Sequence, residues 1–339
     1  MHLQENISLR SLNTFGIATN TKYYSLIRNQ AILEELLSHK ALHVLPKLII
    51  GGGSNILFIK DFEGWVIHMD IKGIEKLKEN NDHIWLQVGA GVVWHDLVLY
   101  CIQKDYAGIE NLSLIPGTVG AAPIQNIGAY GVEFSEVFES LEALEISTGL
   151  IKKFNKVDCA FGYRDSIFKN SLQGQYIILQ VTVRLNKQST FRIGYGAIQE
   201  ILTAMQLKTL SIKAVSDAVI SIRQQKLPNP AYIGNAGSFF KNPIIEQFQA
   251  DRLKSMYPHL PTHSLSNSHV KIPAAWLIEQ CGWKGYRLGA VGVHPHQPLV
   301  IVNYGGATGR EVYELAQTIQ VSVANKFDVI LEPEVNIVQ

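Results

Sequence analysis

A chain of 339 residues, 47% hydrophobic and 17% charged, exceeds the length at which one core keeps growing and has the apolar material for two or three domains. Lys and Arg number 30 against 29 Asp and Glu, so the formal net charge of +1 excludes any general attraction for nucleic acid or an anionic membrane. An uninterrupted apolar run near the ~18 residues of a membrane span is absent, no charged-then-apolar leader opens the chain, and Cys101, Cys159 and Cys281 are odd in number and far apart. A cytoplasmic protein with reduced, packing cysteines is expected.

Taken in order, residues 13–16 read as a turn and 29–42 as a helix with Ile32, Leu33, Leu36 and Leu37 on one side. An apolar strand from Lys47 runs into Gly51-Gly52-Gly53-Ser54-Asn55, and apolar residues resume at once behind it as strands over 56–59 and 65–69. The absence of a following helical period separates this run from the dinucleotide fingerprint, and the absence of Gly-Lys-Ser/Thr separates it from a Walker loop. Residues 84–88 make another strand, and 92–104 a helix whose Val93, Leu97, Tyr100 and Cys101 suit a core-facing stripe. His95 and Asp96 are adjacent on that helix and do not face each other.

A second, longer glycine-rich run spans 112–131, with Gly117, Gly120, Gly128 and Gly131 among small side chains and prolines. Glycine lets backbone N–H groups approach an anion closely, so two such runs predict one phosphate-bearing cofactor held between them. Strands follow at 137–146 and 176–185, with Arg164 set among aromatics between them, then a helix over 212–225 closed by Leu227-Pro-Asn-Pro230, the expected hinge. Beyond it come a polar and aromatic loop at 234–243, helices over 245–256 and 273–281 separated by a loop at 263–271, a strand at 300–302, an amphipathic helix over 309–326 and an alternating strand over 329–338. His294 and His296 could ligate a metal from one strand, but no third ligand cluster stands nearby, so none is expected. No long exposed apolar face is marked, and a monomer is expected.

In order and spacing, Asn13-Thr-Phe-Gly-Ile17, Gly51-Gly-Gly-Ser-Asn55, Ile115-Pro-Gly-Thr-Val-Gly-Ala-Ala-Pro-Ile-Gln-Asn-Ile-Gly-Ala-Tyr-Gly131, Tyr163-Arg-Asp-Ser166, Gly234-Asn-Ala-Gly-Ser-Phe-Phe-Lys-Asn-Pro243 and Leu331-Glu-Pro-Glu-Val335 resemble the UDP-N-acetylenolpyruvoylglucosamine reductase family of flavin enzymes. The resemblance covers nearly the whole chain. It implies an α+β protein with two FAD-binding subdomains of the vanillyl-alcohol-oxidase/PCMH type, residues 1–70 and 71–226, the second joined by the C-terminal strand 328–339. A C-terminal α+β substrate-binding subdomain, 227–327, completes it. NADPH is implied as hydride donor to FAD, and the enolpyruvyl ether of UDP-N-acetylglucosamine as the group reduced, in peptidoglycan precursor synthesis.

By the same resemblance Ser238 is the proton donor to the carbanionic carbon, while Arg164 and Glu334 steady the enolate-like carboxylate. Gly51, Gly53, Ser54, Asn55, Pro116, Gly117, Thr118, Gly120, Asn126, Gly128, Ala129 and Tyr130 are implied for the cofactor. Tyr195 matches the subtype with a substrate-covering loop, and Lys226, Asn242 and Gln297 match positions that meet the UDP moiety. His263 stands where some members carry tyrosine, and Asn336 where arginine is common. Two other readings are a nucleotide-binding module without turnover, against which the set of Ser238, Arg164 and Glu334 argues, and a flavin oxidase of the same cofactor fold.

Overall fold

The computed structural model describes residues 2–206 and 209–339. Two compact units divide the chain. One takes the residues up to Ile7, Thr21–Gly53 and Glu63–Gln225; the other takes Ser8–Asn20, Ser54–Phe62 and Lys226–Gln339.

Two sheets dominate the first unit. Gln4–Ser8, Asn20–Ile27, Phe62–Met69 and Lys47–Ile50 lie side by side in that order, and a second, antiparallel sheet runs Ile151–Asn155, Phe138–Glu145, Tyr176–Asn186, His83–Gly89, Ile74–Glu79. The strand Tyr176–Asn186 is apolar on both sides, because Ile177 and Leu179 enter one core while Ile178, Val181, Val183 and Leu185 enter another. The second of these cores also takes Leu97 and Cys101, with half-buried Tyr100 packed against it, from the helix Trp94–Gln103, as its spacing predicts; Val93, expected with them, is exposed, and Trp94 is buried in its stead. The helix expected over 29–42 is two pieces, Gln30–Ser38 and Lys40–His43. Asn29 caps the first through Ile32 N–H, and the break falls at His39, whose ψ of 110° is extended, where the Ser38 hydroxyl has turned back to the Glu35 carbonyl at 2.6 Å.

In the second unit the helix Gly309–Phe327 lays Val312, Leu315, Ala316, Ile319 and Val323 into one core with the helices Gln247–Met256 and Ala274–Gln280. Thr308 and Glu311 close its N-terminus as a reciprocal capping box. Its first residue must be glycine, since a Cβ there would sit 1.6 Å from the Phe58 carbonyl oxygen, so the helix start rests directly on the strand Ile56–Phe58.

Three expected elements differ here. The segment 245–256 opens as a strand, Ile244–Glu246, because it pairs with His269–Lys271; that pairing and His263–Ser264 make short strands of the expected loop at 263–271. The alternating segment 329–338 is strand only at Asn336–Val338. That strand pairs in parallel with Ile56–Phe58 inside the second unit rather than joining the 71–226 segment, and Asn336 docks it by donating both its N–H and its Nδ2 to the Asn55 carbonyl, at 3.0 and 3.1 Å. Among the described residues no helix is long and apolar enough to cross a membrane.

Candidate active site

Backbone contact between the two glycine runs defines the site on the first unit. A Cβ on Gly51 would lie 2.1 Å from Thr118 Oγ1, and one on Gly52 would lie 3.2 Å from Gly117 Cα, so only glycine lets the loops meet. Gly53 is buried with φ +59°, and Gly117 has φ +114°. Loop 116–120 is pinned from behind: Trp94 N–H donates to the Gly117 carbonyl at 3.0 Å, Val119 N–H to Val92 and Gly120 N–H to Ala90, both at 2.9 Å. Gly120 is required by this packing, since its Cβ would fall 2.6 Å from Ala90 Cβ.

Arg164 tops a tight turn whose ends, Gly162 and Asp165, exchange backbone bonds at 3.0 and 3.3 Å. Its φ is +53°, its ring neighbour is Tyr163 at 5.5 Å, and its guanidinium donates to the Gly128 carbonyl at 2.7 Å. Gly128 leaves room for it: a Cβ there would lie 3.1 Å from Arg164 Nη1. Asn126, expected at the cofactor, is 1% exposed and turned inward. Its Nδ2 donates to Glu133 at 2.8 Å and to the Gly162 carbonyl at 3.0 Å, while its Oδ1 accepts from Ser135 N–H at 2.9 Å. Both Nδ2 protons and one Oδ1 lone pair are thus engaged, so the Asn126 side chain ties the glycine run to the arginine turn.

Tyr130, at φ +51°, stacks edge-on with Tyr195 at 5.6 Å and 82°, and burial raises the pKa of its phenol. Tyr195 is 55% exposed, which rules out a core role, and both flanking glycines stand in open space. Buried Asn111 joins the two segments, donating to the Tyr130 and Arg192 carbonyls at 3.1 and 2.7 Å.

The sequence reading missed Asn111 and also Arg223, on the helix Ile212–Lys226. Seven residues before Arg223, and so on the same helix face, Ser216 bonds Ser113 at 2.8 Å. Arg223 Nε is buried without a hydrogen-bond partner among the described residues; burial lowers the guanidinium pKa, and the like charge of Arg164 pushes the same way. A cation on the buried face of an amphipathic helix was the available signal.

On the second unit Ser238 and Glu334 come together. Asn235 donates to the Pro228 and Ile233 carbonyls and accepts from Gly237 N–H at 2.9 Å, which turns the chain at Gly237, φ +72°, just before Ser238. The next residues then pair with the C-terminal segment: Glu334 N–H donates to the Phe239 carbonyl at 2.8 Å and Lys241 N–H to Glu332 at 2.9 Å. Asn55 Nδ2 holds the Glu334 carbonyl at 3.1 Å, so one residue of the first glycine run anchors a catalytic candidate. Phe239 and Phe240 are both buried in one core, their ring centroids 5.1 Å apart, which anchors the chain directly after the half-buried Ser238.

Of the remaining candidates, Lys226 is exposed at its helix end. Asn242 Oδ1 caps the helix Ala274–Gln280 through Ala274 N–H at 2.9 Å, and the Gln297 carbonyl closes a turn onto Val300 N–H at 3.0 Å. His294 and His296 lie with ring centroids 5.6 Å apart, and among the described residues no group of three or more His, Cys, Asp or Glu could hold a metal ion.

Residues 22–155 match the family model described as FAD binding domain, and 228–338 match that of the UDP-N-acetylenolpyruvoylglucosamine reductase C-terminal domain. A UDP-N-acetylenolpyruvoylglucosamine reductase of Amoebophilus asiaticus is 77% identical over 339 residues, 100% of both chains, and one of Flavobacterium johnsoniae is 44% identical over the same span. The solved UDP-N-acetylenolpyruvylglucosamine reductase of Thermus caldophilus shares the fold, with a TM-score of 0.69 at 21% identity over 99% of this chain and 100% of its own. The α+β class, with an FAD-binding half followed by the reductase's own C-terminal domain, is the one expected, and the chain belongs to the UDP-N-acetylenolpyruvoylglucosamine reductase family.

Proposed function

We propose that this chain reduces the enolpyruvyl ether of UDP-N-acetylglucosamine to the lactyl ether, forming UDP-N-acetylmuramate for peptidoglycan precursor synthesis, with NADPH as hydride donor. The observation that carries the assignment is the joining of Ser238 to Glu334 through the Phe239 carbonyl bond in a chain of this family. FAD, when bound, supplies a two-electron carrier between nicotinamide and substrate. The residues present fit it: Gly51 abuts the Thr118 side chain and Gly52 the Gly117 backbone, so the two glycine runs meet with bare glycine backbone whose N–H groups can approach a pyrophosphate.

Hydride addition at the terminal vinyl carbon leaves negative charge on the carbon beside the carboxylate. Ser238 donates the proton to that carbon, Arg164 holds the carboxylate on which the charge is shared, and Glu334, as the protonated acid, donates to it. A serine hydroxyl is a weak acid, but protonation of a carbanion is downhill and needs chiefly a fixed donor. Lys226, Asn242 and Gln297 serve the UDP moiety, lysine as a point charge for the diphosphate. The enzyme acts as a monomer in the cytoplasm. Incubation with NADPH and the enolpyruvyl nucleotide should yield a product heavier by two hydrogens; unchanged nucleotide beside consumed NADPH would point to an oxidase of the same cofactor fold.

Tyr195 closes over the bound nucleotide, its hydroxyl reaching a diphosphate oxygen and its ring excluding water. Tyr195→Phe should raise the substrate KM while the NADPH half-reaction and the melting temperature stay close to wild type. An unchanged KM would remove the lid role.

A further inference from the structure

The first turn of the helix Trp94–Gln103 grips the segment that enters the cofactor loop. Trp94 Nε1 donates to the Leu112 carbonyl at 2.9 Å and Trp94 N–H to the Gly117 carbonyl at 3.0 Å. Between these, Leu114 N–H donates to His95 Nδ1 at 3.0 Å. Leu114 has φ +58°, a left-handed conformation that a leucine adopts only when its surroundings impose it. Its N–H faces an acceptor on a half-buried, titratable ring, and Ile115, Pro116 and Gly117 follow directly.

We propose that His95 is a positioning residue for the cofactor loop: its neutral imidazole accepts from Leu114, holds that residue left-handed, and so seats Gly117 and Thr118 against Gly51 and Gly52. This rests on the reading that these loops hold FAD. An imidazole that accepts at Nδ1 carries its proton on Nε2, and an imidazolium can accept at neither nitrogen, so protonation of His95 breaks the bond and turns a donor against a donor.

The charged groups whose fields reach the ring are Asp96, its neighbour along the helix, and Arg223 of the helix Ile212–Lys226. Burial lowers the pKa of His95 from the ordinary 6.5; Asp96 raises it and Arg223 lowers it. The seated loop therefore binds fewer protons than the released one. Its stabilisation is complete above the ordinary 6.5 and is lost as pH falls from there through the lowered value of the seated state.

The test is FAD affinity, followed by flavin fluorescence from about pH 8 to about pH 5 in wild type, His95→Asn and His95→Leu, with exchange of the Leu114 amide measured in flavin-free protein. Wild type should weaken on the order of tenfold as pH falls below neutrality, the scale of one lost hydrogen bond with its partner left unpaired. His95→Asn presents a non-titrating oxygen near the place of Nδ1 and should hold FAD without that step. His95→Leu should bind about tenfold more weakly at every pH and leave the Leu114 amide unprotected. A step that persists in His95→Asn, or a His95→Leu that binds as wild type, overturns the proposal; should His95→Leu not fold, the asparagine comparison decides alone. A wild type that takes up no FAD overturns the cofactor reading and this one together, whereas a flavin-binding wild type matched by both variants overturns His95 alone.

Discussion

Ser238→Ala is expected to keep its FAD and to be reduced by NADPH at close to the wild-type rate, while transfer to the enolpyruvyl nucleotide slows about 10²–10⁴-fold, the range of general acid catalysis. The separation follows from where the hydroxyl acts. Its proton is needed only once hydride has reached the vinyl carbon, so nothing in the first half-reaction calls on it. The backbone should not register the change either: the turn before Ser238 is held by Asn235 side-chain bonds, and the residues after it by the Phe239 and Lys241 pairings with 332–334. Stopped-flow traces of the two halves separate the outcomes, and equal losses in both would remove Ser238 from the proton-transfer step.

Gly53→Val should purify without colour. Gly53 is buried at φ +59°, a conformation that a β-branched residue is strained to adopt, by about 1–3 kcal/mol, which converts to roughly a 5–150-fold loss of FAD affinity if the loop yields rather than the fold. Gly120→Ala is a useful contrast, because its Cβ would meet Ala90 and its cost should appear in melting temperature. If Gly53→Val remains fully yellow and only substrate binding weakens, the loops belong to the nucleotide substrate instead.

Local pattern carries much of this fold and less of the site. The stripe Leu97, Cys101 on Trp94–Gln103 and the stripe Val312 to Val323 on Gly309–Phe327 are legible because a helix repeats its buried face at fixed spacing. The loop chemistry of both glycine runs is legible because glycine marks close backbone approach. What the helix start does is not legible, since His95 meets Leu114 and Trp94 meets Gly117 across a chain reversal that spacing does not reveal. The same holds for Ile244–Glu246, made a strand by a partner more than twenty residues on, and for Asn126, whose place in a glycine-rich run suggests a ligand contact while its bonds to Glu133, Gly162 and Ser135 all point inward. Arg223 is obscured by its neighbours: in sequence it is one charge in the polar stretch Arg223-Gln-Gln-Lys226, and its spacing from Ser216 and Val219 is the sign that it lies on the inward face, half-buried near Arg164 and Tyr130.

Anaerobic mixing of the FAD-loaded protein with NADPH, followed by addition of the enolpyruvyl ether of UDP-N-acetylglucosamine, tests the central claim most directly. The yellow absorbance should bleach rapidly with NADPH and return, without oxygen, when the nucleotide is added. A protein that fails to bleach, or that bleaches and recovers its colour only on admission of oxygen, would contradict the account.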